Sequence, residues 1–273
     1  MKVYLETSSI RKNSNRLSMF KNEDFFTSSL TFFELLSGIQ ENDFLMRKSI
    51  IDNLLNSSIN IDWRTFKCKM YNAFNRSYYD IDGIVIKKMV EEIVTCSTIQ
   101  EYYSKKIYID DNTYYTHESL EDLDKDISNI GKMFSEIGKN EWKELSKEER
   151  KKFKQTMRKE RMIFPYIQLL SELTLTNIAE DISGYKRPAE EYFNVIQEYD
   201  QSLEIYLKYM HLLFLTHEMN GSLCSKNDKM DTLHLIYLRE GDAIISEDKI
   251  FRDLNNDLQL IKVYNTDEFI DKI

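Results

Sequence analysis

Short apolar runs alternate with amphipathic stretches in the first 75 residues, and this alternation predicts strands and helices of an α/β fold. "KVYL" (2–5) is a strand, and 8–20 is a helix with Ile10, Leu17 and Phe20 as its apolar contacts. "DFFTSS" (24–29) is a second strand that ends in hydroxyls. The following "LTFFELLSGI" (30–39) places Phe32, Leu35, Leu36 and Ile39 at i, i+3, i+4 and i+7, one face of a helix. Residues 41–55 form another helix, "INID" (59–62) a third strand, and "WRTFKCKMYNAF" the helix after it.

The pattern then changes. Residues 77–225 carry almost no strand signal, and 84–104, 119–137, 146–182 and 188–219 show helical periodicity. Pro165 should kink or break a helix, and Pro188 suits a helix start. Strand–helix alternation returns with a helix over 227–240, a buried strand in "GDAIIS" (241–246), a helix from 247 and a last strand over 258–264. The simplest architecture is a discontinuous α/β domain, 1–76 plus 226–273, interrupted by a large all-helical insertion over 77–225.

Composition sharpens this outline. Seven glycines and two prolines in 273 residues, with abundant Lys and Glu, favour long helices. No apolar run reaches transmembrane length, and "VYL" is too short for a signal-peptide core, so a cytoplasmic protein with no membrane partner is expected. Cys68, Cys96 and Cys224 show no CxxC spacing, which argues for reduced thiols and against a zinc site or a disulfide framework. The net charge of −9 argues weakly against nonspecific nucleic-acid binding, but an acidic site balanced by a divalent metal gives the same sign.

Four acids stand at positions where chemistry could gather. Glu6 follows the first strand, as a turn acid ahead of a helix capped by Thr7 or Ser8, or as the wall of a pocket. Glu34 lies opposite the apolar stripe of its helix, facing either solvent or a cleft. Asp231 shares a face with His234, Leu235 and Leu238 and should point inward, with Asp228 as the helix N-cap. Asp248 follows the strand 243–245, with Ser246 as N-cap and Glu247 beside it in the first turn. Glu6 and Asp248 thus both stand just past carboxyl ends of strands, where open α/β sheets build their sites. Carboxylates gathered there would suit Mg²⁺ or Mn²⁺, which prefer hard oxygen ligands.

"VYLETSSI", "SSLTFFELLSGI", "NDKMDTLHLIYL" and "AIISEDKIF", in that order, resemble a PIN domain, the nuclease fold of many toxin ribonucleases and other RNA-cleaving proteins. The resemblance covers about 125 residues in two pieces. It implies a three-layer α/β/α domain with a central, mostly parallel sheet. It also implies a metal-dependent endoribonuclease whose catalytic and metal-ligating acids are Glu6, Glu34, Asp231 and Asp248, with Mg²⁺ or Mn²⁺ as cofactor and RNA as substrate. The family usually carries aspartate at the position of Glu6, so this carboxylate reaches one methylene further. Thr7 or Ser8 could orient a water or an acid, and Asp228 and Glu247 would be secondary ligands at best. A reading from a different class is a catalytically weak PIN-like scaffold that binds protein partners, in part through its insertion; self-association stays open.

Other features are weighed the same way. His117, His211, His217 and His234 show no HExxH spacing, and His234 reads as a packed residue hydrogen-bonded to a neighbour. The net basic stretch 143–162 reads as a solvated helix laced with i,i+4 ion pairs, or as a phosphate-contacting surface, with Phe153 and Phe164 in the core. The acidic segment 110–126 reads as an exposed loop and helix start.

Overall fold

A computed structural model describes residues 1–21, 24–125, 145–184, 194–220, 222 and 224–272. Pro188 and residues 126–137 of one expected helix lie outside the described residues. Five parallel strands form the central sheet: β1 (Val3–Leu5), β2 (Phe25–Ser28), β3 (Asn60–Asp62), β6 (Ala243–Ile245) and β7 (Lys262–Tyr264), in the order β3-β2-β1-β6-β7. The two innermost strands, "VYL" and "AII", are buried at every position. That is what parallel strands covered on both faces require, and why they read as unbroken apolar runs. The edge strands "NID" and "KVY" are more exposed.

The strand order reverses direction at β1. The chain builds outward through β2 and β3 on one side, then returns to add β6 and β7 on the other. Leu5 pairs with Ile245, so the residues just past these two strands are neighbours although about 240 positions separate them. The Glu6 amide donates to the Ile245 carbonyl at 3.2 Å, which extends the pairing to the first acid itself.

Helices cover the sheet. Ser29–Leu36 is buried at seven of its eight positions, and Glu34 is the exception. The Arg47 guanidinium, held by Asp43 at 2.7 Å, donates to the carbonyls of Leu35 at 3.2 Å and Ser37 at 2.8 Å. It thereby satisfies acceptors that a helix end leaves open. Glu204–Asn220 is buried on all sides from Ile205 to Leu215, the mark of a central helix. It packs against Lys147–Lys159, Ile163–Ser183, Lys226–Leu233 and Lys249–Leu258, so one continuous core joins residues of 77–225 to the α/β elements.

Three expectations are corrected. The segment 77–225 is not all-helical: β4 (Lys106–Ile109) and β5 (Asn112–Tyr115) form an antiparallel hairpin. Ile107 and Ile109 are buried while Lys106 and Tyr108 are exposed, a period-two pattern hidden inside a helix-rich segment. The tight Asp110-Asp111 turn closes the hairpin, with Asp110 at φ 52°, a left-handed conformation that Asp tolerates. Phe153 and Phe164 are not core residues, being 37% and 43% exposed. The Phe164 ring instead underlies the Lys208 ammonium at 4.9 Å from its centroid. Pro165 neither kinks nor breaks its helix, because it sits in the first turn of Ile163–Ser183. The chain break falls just before it, at Arg161 with φ 54°. No helix among the described residues is long and apolar enough to cross a membrane.

His211, on the central helix, is 2% exposed and its Nε2 lies 2.8 Å from the Thr174 hydroxyl. Burial lowers its pKa to about 4. An unfolded chain therefore binds a proton at this residue below about pH 6.5 that the folded chain refuses. The resulting stability is present above about pH 6.5 and is lost as pH falls towards about 4. The expected loss is roughly 3 kcal/mol. Urea denaturation of wild type and His211→Gln should show the gap between them narrowing by that order over this window; a gap independent of pH would refute it.

Candidate functional site

The loops after β1 and β6 meet at the switch point and are tied together by hydroxyls. Glu6 is 3% exposed and is the N-cap of the helix Thr7–Asn13, where Thr7 or Ser8 was expected. The carboxylate folds back so that its Oε2 accepts from the Ser8 amide at 2.9 Å, from the Ser8 hydroxyl, and from the Ser246 hydroxyl at 3.0 Å. The Ser8 hydroxyl accepts the Glu247 amide at 3.0 Å, and the Ser246 hydroxyl accepts the Asp248 amide at 3.0 Å. Asp248, rather than Ser246, is the N-cap of Lys249–Leu258.

Glu34 reaches this place from the helix side. Its side chain is 17% exposed, so the polar face of its helix is turned to a cleft and not to open solvent. Oε2 accepts from the Thr7 hydroxyl and from His234 Nε2 at 3.0 Å. His234 is fully buried, and its Nδ1 lies 2.6 Å from the Tyr4 hydroxyl, itself 2.6 Å from the Ser28 hydroxyl. A chain of polar groups thus runs from Glu34 through His234 and Tyr4 to Ser28, with every member partnered. His234 Nε2 is also 3.8 Å from Glu6 Oε1. Ligand atoms of Glu6, Glu34 and His234 all lie within 4.8 Å of one another.

Asp231 stands one turn before His234 on Lys226–Leu233. The N-cap of that helix is Ser225, in a capping box with Asp228, and not Asp228 as the sequence suggested. Asp231 is half-buried, and its neighbours in charge are His234, Glu34, Asp248 and Glu6. Among the described residues, the carboxylates of Asp231 and Asp248 make no hydrogen bond or ion pair. The four acids therefore feel one another's charge, but among them only Glu6 and Glu34, with His234, bring ligand atoms within 4.8 Å of one another. Glu247, beside Asp248, turns away to the Thr266 amide at 3.0 Å and the Lys12 ammonium at 3.0 Å. Asp228 turns to the Ser225 amide at 3.1 Å. Neither joins the acid cluster.

The electrostatics follow from crowding. Burial raises the pKa of Glu6, and Glu34 and Asp248 add to the rise while His234 opposes it. Burial also acts to raise Glu34, but His234 and the Thr7 hydroxyl outweigh it and hold the carboxylate below its usual range. Burial opposes the charged form of His234, yet Glu34, Glu6 and Asp231 together raise its pKa. The imidazole lies inside an acid cluster with a hydrogen-bond partner at each nitrogen, Tyr4 and Glu34. That arrangement matches the packed, hydrogen-bonded reading of His234. Burial pushes Asp231 up to about 7, with Glu34, Asp248 and Glu6 adding to the rise.

Of the four acids, Glu6 and Glu34 are the two whose ligand atoms are close enough to share a divalent cation. Glu6 Oε1 and Glu34 Oε1 accept no hydrogen bond among the described residues, and Asp231 and Asp248 are unpartnered. These are hard oxygen donors in a region already short of positive charge, the preference of Mg²⁺ and Mn²⁺. The sequence singled out all four carboxylates but not the Tyr4–His234–Glu34 relay. Its members come from a strand, a 3₁₀ turn and a helix, and no spacing links them.

Neutralising Asp231 should stabilise the protein in the absence of metal. A carboxylate raised from about 4 to about 7 destabilises the fold progressively as pH climbs through that interval, because the folded chain holds a proton that the unfolded chain has released. Asp231→Asn should therefore raise Tm by roughly 2–4 °C in EDTA at about pH 8, with the gain vanishing below about pH 4. A lower Tm at alkaline pH would mean that Asp231 makes a stabilising contact instead.

No protein-family model, curated protein or solved structure matches this chain.

Proposed function

We propose that the chain is a divalent-metal-dependent nuclease that hydrolyses RNA phosphodiester bonds at Glu6, Glu34, Asp231 and Asp248. The observation that carries this reading is the pairing of Glu6 with Glu34 at the β1/β6 switch point, within electrostatic reach of Asp231 and Asp248, whose carboxylates have no partner among the described residues. The four motifs that resemble a PIN domain, in the same order along the chain, support it and supply the preference for RNA. A bound Mg²⁺ or Mn²⁺ would activate water and offset charge on the phosphate during hydrolysis.

The chain's own residues have separable tasks in this reading. Asp231 and Asp248, free of protein partners, would hold the cation. Glu6 and Glu34 would present Oε1 to it while their Oε2 atoms stay fastened to Ser8 and Ser246, and to Thr7 and His234. His234 fixes Glu34 and is itself oriented by Tyr4, so both are positioning residues. The helix Lys147–Lys159 exposes a basic surface, buried only at Met157, that could contact phosphates. Its Arg158 pairs with Asp257 at 2.9 Å.

One observation favours the second reading, a PIN-like scaffold with weak catalysis. Half the acceptor capacity of Glu6 and Glu34 is spent on hydroxyls and on His234. The two readings separate in one experiment. Purified protein incubated with single-stranded RNA and Mn²⁺ should cleave it, and Asp231→Asn and Glu34→Gln should each reduce the rate at least about a hundredfold. Cleavage that survives both changes would sink the nuclease reading. A Mn²⁺-dependent rise in Tm without cleavage would favour the scaffold.

A further inference from the structure

A second cluster of metal-ligand type lies away from the four acids, where the central helix ends. His217 occupies the last turn of Glu204–Asn220, Asp228 the first turn of Lys226–Leu233, and Cys224 the connection between them. Their ligand atoms all lie within 4.8 Å of one another, and all three residues are half-buried. They are separated by seven and four positions across a helix–turn–helix corner, which is why no cysteine spacing announces them.

The hydrogen bonds around His217 fix its orientation. The Ser222 hydroxyl oxygen lies 2.9 Å from His217 Nδ1 and 3.3 Å from the His217 carbonyl, which holds the ring in place. Nε2 faces Asp228 Oδ2 at 3.3 Å, and that oxygen also accepts the Ser225 amide at 3.1 Å. A hydrogen-bond partner on the remote nitrogen is how metal-bound histidines are steered. The distance fits as well. Ligand bonds of about 2.0–2.1 Å at tetrahedral angles place nitrogen and oxygen about 3.3 Å apart.

We propose that His217 Nε2, Cys224 Sγ and an Asp228 carboxylate oxygen form a binding site for a borderline-soft divalent cation of the Zn²⁺ class. The donor set of one sulfur, one nitrogen and one oxygen is suited to Zn²⁺ and is unsuited to Mg²⁺. Water completes the fourth position. Binding exchanges the Cys224 S–H bond for a sulfur–metal bond and releases the proton to solvent. The cation would clip the end of the central helix to the start of the helix that carries Asp231, one turn beyond Asp228. The site would therefore set the angle at which Asp231 enters the acid cluster. It departs from the expectation, drawn from cysteine spacing, that the chain has no zinc site.

Titration of the full chain with Co²⁺ tests this directly, since a thiolate ligand gives a sulfur-to-cobalt charge-transfer band. Wild type should develop the band, and Zn²⁺ should displace it. Cys224→Ser should abolish the band, and His217→Gln and Asp228→Asn should each weaken Co²⁺ binding by about tenfold or more. Glu34→Gln and Asp231→Asn should leave it unchanged, which separates this site from the acid cluster and from any loss of nuclease activity. Circular dichroism of each variant checks that it remains folded. Absence of the band in wild type, or its survival in folded Cys224→Ser, would overturn the proposal.

Discussion

Parallel pairing of β1 with β6 is the constraint on which the rest of the candidate site depends. Because Leu5 is in register with Ile245, the next residues on the two strands arrive side by side at the carboxyl edge of the sheet. Glu6 cannot leave this place, since its amide continues the sheet and its carboxylate is the cap of the following helix. Ser8 and Ser246 then knit the two loops through one shared oxygen of Glu6. A slip of one residue in this register would turn Glu6 to the opposite face of the sheet and disperse the acids.

Buried carboxylates in such number need compensation, and the fold provides it unevenly. His234 bridges Tyr4 and Glu34, so the Glu34 carboxylate is fixed in place. Asp231 receives no such partner, and burial among the other acids raises its pKa. Removing Tyr4 or His234 would strand a buried polar group, at a cost of about 1–3 kcal/mol. The unevenness is what a cation-binding pocket needs: some acids fixed as walls, others available as ligands.

The helical part of the chain is not a detached appendage to this site. Glu204–Asn220 is buried all round because it is packed between its own neighbours and the helices Lys226–Leu233 and Lys249–Leu258, which begin next to the acid cluster. Its polar exceptions are paired: Lys208 with Glu204, His211 with Thr174. A change in its packing would be felt at Asp231 through a corner of only a few residues.

Sequence alone determined much of this protein. Apolar runs marked the inner strands, because strands covered on both faces must be apolar throughout. Amphipathic spacing marked the helix that carries Glu34, and the four acids were legible as groups standing at element ends. The hairpin at 106–115 was legible in principle through its two-residue period, but four-residue strands are easily lost among helices. Helix caps were misplaced by a few residues, since Ser, Asp and Glu near a helix start compete for the same amides and only backbone geometry decides between them. Tertiary structure decided what each acid does. Register brought Glu6 to Ser246, and packing drove His234 between Tyr4 and Glu34. The corner between two helices set His217 against Asp228 and Cys224. These are contacts between residues far apart in the chain or on separate elements, fixed by core packing, and local pattern carries no record of them.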